Sequence, residues 1–307
     1  MMAILIFLLV PLVPSSIVTP RNGARSWIDI GPIDLQPSEL AKIAMVLVLA
    51  RYLRFRANHR RFWGLVPPGI IAAIPVALIT LQPDLGTATL FVPVLFAVLV
   101  AAGAKLKHLT LIVLLAALAA PAAYPMLKPH QKQRIEALFR QFKGDTSADQ
   151  DINMQSVTAQ RLIGAGGLAG QPRERAATLL KYNPLPERHN DMIFAVIADR
   201  HGFLGGVLVL TLYFAWIAGA LITAGSTRDP FGRLVCVGLA AFIAGQVFIN
   251  VGMNTGLLPI IGITLPYVSY GGSSLVTVWL MTGLIMNIAA RRPRPPVRHS
   301  FEFHDDE

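Results

Sequence analysis

Asp191 is the residue of this sequence best placed to act as a general base. It closes the polar segment 185–191 and directly precedes the short apolar stretch 192–198. A carboxylate beside an apolar stretch is partly desolvated, which raises its pKa toward working pH and suits proton abstraction. A lone acidic residue in a loop is more often solvated or a helix cap, so spacing alone leaves both interpretations open.

Further polar residues stand where apolar helices begin. Lys42 lies about one turn inside an apolar helix, three residues after Glu39, and that spacing brings the two side chains together. An internal ion pair and an anion-binding lysine are equally compatible with this pattern. Asp84 follows a proline between two apolar stretches and indicates a turn and helix cap. The glycine-rich segment 164–170 predicts a flexible loop rather than a phosphate site.

The elements around these residues have the composition of membrane-spanning helices. The 307 residues are 54% hydrophobic and 14% charged, which excludes an ordinary soluble domain. A helix needs about 20 apolar residues to cross a bilayer. We therefore predict an all-α polytopic membrane protein with about eight transmembrane helices, over residues 3–18, 40–53, 65–81, 85–102, 109–127, 203–223, 234–253 and 274–290.

The distribution of Lys and Arg predicts the orientation. If the spans alternate, the basic loops fall on one side, which the positive-inside rule makes cytoplasmic; these are residues 51–61, 105–107, 228–233 and 291–298. Residues 1–290 then form one transmembrane domain with an extracytoplasmic loop over 128–191, and 291–307 form a charged cytoplasmic tail. The net charge of +10 follows from this bias together with contacts to anionic headgroups, and its spread over two membrane faces argues against nucleic acid as a partner.

The outer segments differ in character. Residues 131–143 predict an amphipathic helix on the outer leaflet, and 192–198 a short interfacial or re-entrant helix that presents Asp191. Residues 256–274 are apolar yet broken by Pro and Gly, which is tolerated at membrane depth only against protein or a wet cavity, so we expect this loop to line a groove. The single Cys236 excludes a disulfide and a thiolate metal site, and the residues alone assign no divalent cation or other cofactor.

Five motifs in one order extend over nearly the whole chain: GARSWI at 23–28, QPSELAK at 36–42, QPDLGTA at 82–88, LPERHND at 185–191 and GLLPIIGITLPYVSYGGSS at 256–274. Together they resemble the SEDS family of bacterial cell-wall polymerases. The resemblance implies a ten-helix membrane glycosyltransferase that polymerises lipid II, with both termini cytoplasmic. By this comparison the sequence begins at the family's third helix, and residues 186–189 are nearer to the rod-shape branch.

The resemblance also implies a site. Asp191 matches the family's essential acidic residue and would accept a proton from a sugar hydroxyl that attacks an anomeric carbon. The leaving lipid pyrophosphate departs as an anion, so a cation replaces the second carboxyl acid of a glycosidase, and the product is inverted. The residues expected to bind substrate are Arg25, Glu39, Lys42, Gln155, Ser156, Glu187, Arg188, Ser269 and Ser273.

The same resemblance implies partners and place. We expect a class B penicillin-binding protein, a transpeptidase, together with other membrane proteins of an elongation or division complex. The location would be the bacterial plasma membrane. Two other functions stay open: a lipid II flippase, which needs ionisable groups along a path through the spans, and a non-catalytic scaffold that binds a penicillin-binding protein.

Overall fold

The computed structural model describes residues 7–12, 18, 26–29, 34–56, 58–126, 132–133, 136, 139–140, 154–182, 185 and 188–291. Helices dominate these residues, as the apolar composition predicts. Their bounds are α1 Pro37–Leu53, α2 Val66–Leu81, α3 Leu85–Ala101, α4 Leu106–Ala123, α5 Met154–Gly166, α6 Arg173–Tyr182, α7 Ile193–Ser226, α8 Pro230–Asn254 and α9 Gly272–Ala290. Short 3-10 turns lie at Val10–Leu12, Asn58–Arg60, Phe62–Leu65 and Tyr124–Met126.

A short antiparallel strand pair precedes α1 and is absent from the all-helical prediction. It joins β1, Ile28–Asp29, to β2, Asp34–Leu35, with Ile28 opposite Leu35. Two-residue strands carry no periodic signal that a sequence pattern detects. The pair fixes the approach of the chain to α1, and the Asp34 carbonyl accepts a hydrogen bond from the Ser273 hydroxyl.

Four described helical segments are long and apolar enough to cross a membrane, namely Phe62–Leu81, Ile193–Ser226, Pro230–Asn254 and Gly272–Ala290. Two shorter apolar helices cover Leu85–Ala101 and Leu106–Ala122, and α1 adds 17 residues that begin at Pro37. The chain is therefore a multi-pass helical membrane protein. The predicted first span falls mostly outside the described residues, so the count of eight stays a prediction. Of the predicted outer-leaflet helix at 131–143, the structure describes residues 132–133, 136 and 139–140, which are helical.

Helix α7 is interrupted at Gly202, as the sequence predicts for this region. Gly202 has φ 66° and ψ −165°, a conformation that is essentially restricted to glycine. The interruption separates residues 193–201 from the long apolar part that begins at Phe203. A short helix next to Asp191, followed by a separate span, is therefore confirmed.

The glycine-rich segment 164–170 is a packed connection and not the flexible loop that its composition predicts. Helix α5 ends at Gly166, and the next residues run against the interruption of α7. Phe203 donates its backbone N–H to the Gly167 carbonyl at 2.8 Å, and Leu204 donates to the Leu168 carbonyl at 3.1 Å. The glycines let two backbones approach closely enough for these bonds.

Contacts between helix ends show which ends share a side of the bundle. At one end, Arg54 after α1 pairs with Asp229 before α8 at 3.3 Å. At the other, Gln36 before α1 contacts Asp84 before α3, with Nε2 and Oδ2 3.0 Å apart. In the core between them the Phe91 and Phe242 rings meet edge to face, with centroids 5.4 Å apart.

The contact between α5 and α7 predicts a difference between two glycines. A Cβ added at Gly166 would lie 2.0 Å from the Ala198 carbonyl oxygen, whereas one added at Gly164 meets nothing within 4 Å. We expect Gly166→Ala to lower the free energy of unfolding by about 1–3 kcal/mol through overpacking. Gly164→Ala should raise it by about 0.5–1 kcal/mol, because alanine is the better helix former. Thermal unfolding in detergent measures both, and equal shifts would contradict the packing.

Candidate functional site

Asp191 lies in the turn that leads into α7, at the end of the bundle that also holds Gln36 and Asp84. Its side chain is buried, with 7% of the residue exposed. Gly262 faces the carboxylate: a Cβ added there would be 3.9 Å from Oδ2. Gly262 has φ +74°, a left-handed conformation that disfavours other residues. The loop of residues 255–271, between α8 and α9, therefore passes directly beside the candidate base.

Three consecutive carbonyls of this turn are hydrogen-bonded by residues far along the chain. The His189 carbonyl accepts from the Tyr270 backbone N–H at 2.8 Å. The Asn190 carbonyl accepts from the Ser269 hydroxyl at 2.5 Å. The Asp191 carbonyl accepts from two side-chain amides, Asn250 Nδ2 at 2.8 Å and Asn254 Nδ2 at 3.0 Å. The position of Asp191 thus depends on α8 and on the loop of residues 255–271.

That loop is in turn held in several places. Ser269 Oγ also accepts from the Leu265 N–H at 2.7 Å, and the Tyr213 hydroxyl donates to the Pro266 carbonyl. Tyr267 packs its ring against Trp279, and burial raises the pKa of the Tyr267 phenol, which keeps that group neutral. The loop that the sequence predicts to line a groove is thus packed against protein along the contacts that the structure describes.

The start of α1 meets the start of α3 through a polar cluster. Asp84 Oδ1 accepts from the Thr87 N–H at 3.0 Å, which confirms the predicted helix cap. Asp84 Oδ2 accepts from Gln36 Nε2 at 3.0 Å and from the Ser38 hydroxyl at 3.4 Å. The Gln36 N–H donates to Ser273 Oγ at 3.1 Å. Ser273, one of the predicted substrate contacts, therefore holds α1 against the start of α9.

Glu39 and Lys42 form a buried ion pair one turn into α1. Lys42 Nζ is 2.7 Å from Glu39 Oε1, and the two residues are 1% and 5% exposed. Glu39 Oε2 has no hydrogen-bond partner among the described residues. Of the two alternatives that the sequence leaves open, the structure contains the ion pair. A cavity of about 60 Å³ between α1 and α9 adjoins it, lined in part by Glu39, Ser273 and Thr277.

The other predicted substrate residues that the structure describes lie in the turn before α7 and at the start of α5. Arg188 is exposed, and its Nε donates to His189 Nε2 at 3.2 Å. Gln155 is half-buried at the start of α5, and the buried Ser156 accepts from Gln160 Nε2 at 3.1 Å. Arg25 and Glu187 lie outside the described residues. The residues that are described contain no group of three or more His, Cys, Asp and Glu side chains arranged to hold a metal ion.

Asn250 and Asn254 are site residues that the sequence reasoning missed. Asn250 lies near the end of the predicted span 234–253, and Asn254 directly follows that span. One signal was available, because two amides four residues apart occupy one face of a helix, and buried polar groups near membrane depth need partners. Their partner, the Asp191 carbonyl, is about 60 positions away and has no sequence signature.

Comparisons with known proteins identify the family of this chain. The sequence profile described as "Cell cycle protein", which unites FtsW, RodA and SpoVE, matches residues 1–293. Stage V sporulation protein E of Bacillus subtilis is 35% identical over 293 residues, which cover 94% of this chain and 78% of that protein. The peptidoglycan glycosyltransferase MrdB of Escherichia coli is 35% identical over 272 residues, or 88% of this chain and 72% of MrdB.

Two solved structures share the fold. One, described as a peptidoglycan synthase complex that coordinates polymerization and crosslinking, contains a chain that superposes with a TM-score of 0.81 at 33% identity, over 95% of this chain and 80% of that one. The crystal structure of the rod shape determining protein RodA of Thermus thermophilus gives a TM-score of 0.66 at 29% identity, over 95% and 77%. The chain belongs to the FtsW, RodA and SpoVE family, which is the SEDS family that its five motifs resemble.

Proposed function

We propose that this protein is a peptidoglycan glycosyltransferase that polymerises lipid II, with Asp191 as its general base. The observation that carries the proposal is a buried carboxylate whose backbone is fixed by three successive hydrogen-bonded carbonyls, at one end of a helical membrane bundle. Family relatives named as peptidoglycan glycosyltransferases support the reaction class.

The reaction is a single displacement at an anomeric carbon. The oxygen of an acceptor sugar hydroxyl forms the new glycosidic bond while the bond from that carbon to the pyrophosphate oxygen breaks. Asp191 takes the hydroxyl proton, and undecaprenyl pyrophosphate leaves with the electron pair. Attack opposite the leaving group inverts the configuration, and the anionic leaving group needs no protonation by a second carboxyl group.

The segment that leads to and follows Asp191 is rich in exposed cations, which suits an anionic leaving group. Between residues 154 and 200 the structure describes one exposed acidic residue, Glu174, and five exposed arginines, namely Arg161, Arg173, Arg175, Arg188 and Arg200. Arg188 lies three residues from Asp191 in the same turn. We assign it to the pyrophosphate, because a positioned guanidinium stabilises charge that develops as the bond breaks.

Transport is the less favoured function. A flippase path needs ionisable groups across the bilayer. The buried His, Lys, Asp and Glu residues that the structure describes instead lie within about two turns of a helix end; they are Glu39, Lys42, His59, Asp191 and Asp199. The scaffold function requires no base at all, and the Asp191 experiment separates it from catalysis.

The wider setting forms part of the proposal. Residues 1–290 act as one transmembrane domain in the plasma membrane, with the Asp191 end outside, in elongation or division. A class B penicillin-binding protein is the expected partner. The structural neighbour whose description joins polymerization to crosslinking in one complex supports this pairing.

Asp191→Asn should reduce glycan polymerisation by about two to four powers of ten, because the amide cannot accept the proton. The measurement is polymer formation from purified lipid II, with and without a class B penicillin-binding protein. Binding of lipid II should persist, since the backbone bonds of the turn do not involve the carboxylate.

Asp229→Asn is the matched control for loss of a carboxylate. Asp229 caps α8 at the opposite end of the bundle, and asparagine caps a helix as well as aspartate does. Its activity should stay native. Undiminished synthesis by Asp191→Asn would remove Asp191 from the mechanism, and a wild-type protein that binds lipid II without polymerising it, even with the partner, would favour the scaffold.

We expect Lys42 to be needed for the stability of the protein, whether or not it also binds substrate. Lys42→Met leaves the Glu39 carboxylate buried without its cation and should lower the free energy of unfolding by about 3–5 kcal/mol. The double variant Glu39→Gln with Lys42→Met should recover most of that loss. Thermal unfolding in detergent checks both proteins. A double variant no more stable than Lys42→Met would contradict the ion pair, and one that is stable but inactive would assign the pair to substrate binding.

The orientation predicts opposite labelling of two introduced cysteines. Glu174 and Lys105 are exposed, and the native Cys236 is fully buried, so the unmodified protein serves as the blank. A membrane-impermeant maleimide should label Glu174→Cys in intact cells and Lys105→Cys only after the membrane is opened. The reverse pattern would place the Asp191 end in the cytoplasm and overturn the proposed orientation.

A further inference from the structure

Two asparagines of α8 meet at one backbone atom of the candidate base. Asn250 and Asn254 are both 0% exposed and lie one helical turn apart. Each donates an amide hydrogen to the Asp191 carbonyl oxygen, at 2.8 Å and 3.0 Å. A carbonyl oxygen has two lone pairs, so this pair of amides satisfies it completely.

Asn254 also replaces a missing helix cap. Helix α7 begins after Met192, whose side chain makes no capping hydrogen bond. The Ala195 N–H, one of the first N–H groups of α7 and without an intrahelical partner, donates instead to Asn254 Oδ1 at 3.2 Å. Asn254 Nδ2 additionally donates to the Asn250 carbonyl at 2.9 Å. The Asn254 side chain thus bonds both Asp191, two residues before α7, and the first turn of that helix.

Asn250 connects the Asp191 carbonyl to the loop that borders the Asp191 carboxylate. Its Nδ2 donates to the Ile263 carbonyl at 2.7 Å as well as to Asp191. Ile263 follows Gly262, the residue that faces Asp191 Oδ2. Asn250 therefore fixes the distance between the backbone that carries the carboxylate and the loop that borders it.

We propose that Asn250 and Asn254 are positioning residues that set the Asp191 carboxylate through its backbone. The inference rests on the proposed function, in which Asp191 takes the proton of the acceptor hydroxyl. A displacement of about 1 Å in a reacting group lowers a rate by about 10²-fold, so a shift of this turn should be visible in turnover. Neither amide touches the substrate in this role, and ground-state binding should depend on them little.

The test compares Asn254→Leu, Asn250→Leu and the double variant in lipid II polymerisation, each with the same partner protein. Each single variant leaves the Asp191 carbonyl one donor and should lose about tenfold in turnover. The double variant leaves it none and should lose more than the product of the two single losses, because both amides bond the same atom. Lipid II binding should stay within about twofold of native for the single variants.

Thr255→Val is the control, at the residue that directly follows α8. Among the described contacts, the Thr255 hydroxyl donates only to the Val251 and Gly252 carbonyls of α8. It should keep native turnover. Asn254→Gln, which retains an amide donor and acceptor, should recover part of the turnover that Asn254→Leu loses. Because a leucine in this place can prevent folding, Asn254→Ala provides the same comparison with a smaller side chain.

The outcomes separate the two proposals. A folded Asn254→Leu or Asn254→Ala protein with native turnover overturns the positioning role while the wild-type and Asp191→Asn results leave the glycosyltransferase intact. Equal losses of turnover and lipid II binding, with a lowered unfolding temperature, would also overturn it, because they indicate a structural role alone. A wild-type protein that makes no polymer would instead refute the proposed function itself.

Discussion

The need to hydrogen-bond every backbone carbonyl that is buried away from water is the constraint on which this structure depends. A buried polar group without a partner costs several kcal/mol, so irregular chain is buried only where protein supplies partners. Residues 188–192 and 255–271 are both irregular, and they satisfy each other: Tyr270 and Ser269 bond the first segment, while Asn250 joins both. Each segment therefore stabilises the conformation of the other.

Close backbone approach is the second requirement, and glycine meets it where the helices meet loops. The loop of residues 255–271 packs against the start of α3 at Gly86. A Cβ added there would lie 2.3 Å from the Ile261 carbonyl oxygen, so only glycine permits this contact. The neighbouring Asp84 caps that helix and contacts Gln36. The polar cluster of α1 and α3 is thereby connected, through residues 261–263, to the side of Asp191. Motifs separated by more than 200 residues in the sequence become one end of one bundle.

The sequence predicts interactions between residues that are close in the chain, and it does not predict those between distant residues. Three features depend on residues that are close in the sequence, and the structure contains all three. They are the Asp84 cap, the contact of Glu39 with Lys42 and the helix boundary at Gly202. The asparagine contacts join positions about 60 residues apart and give no periodic signal. The prediction of a flexible loop at 164–170 was wrong for a related reason. Its glycines face the backbone of another helix, and composition alone does not distinguish such packing from flexibility.

The contrast between two buried carboxylates explains why Asp191, and not Asp199, suits a base. Asp199 is 0% exposed, two turns inside the first part of α7, and its carbonyl accepts from the Gln171 N–H at 2.9 Å. Neither of its carboxylate oxygens has a partner among the described residues, so the group lies sealed between α5 and α7. Asp191 instead keeps a small exposed fraction in a turn with the exposed Arg188 and His189. A base must reach its substrate's proton, so the exposed fraction of Asp191 makes it the better candidate of the two carboxylates.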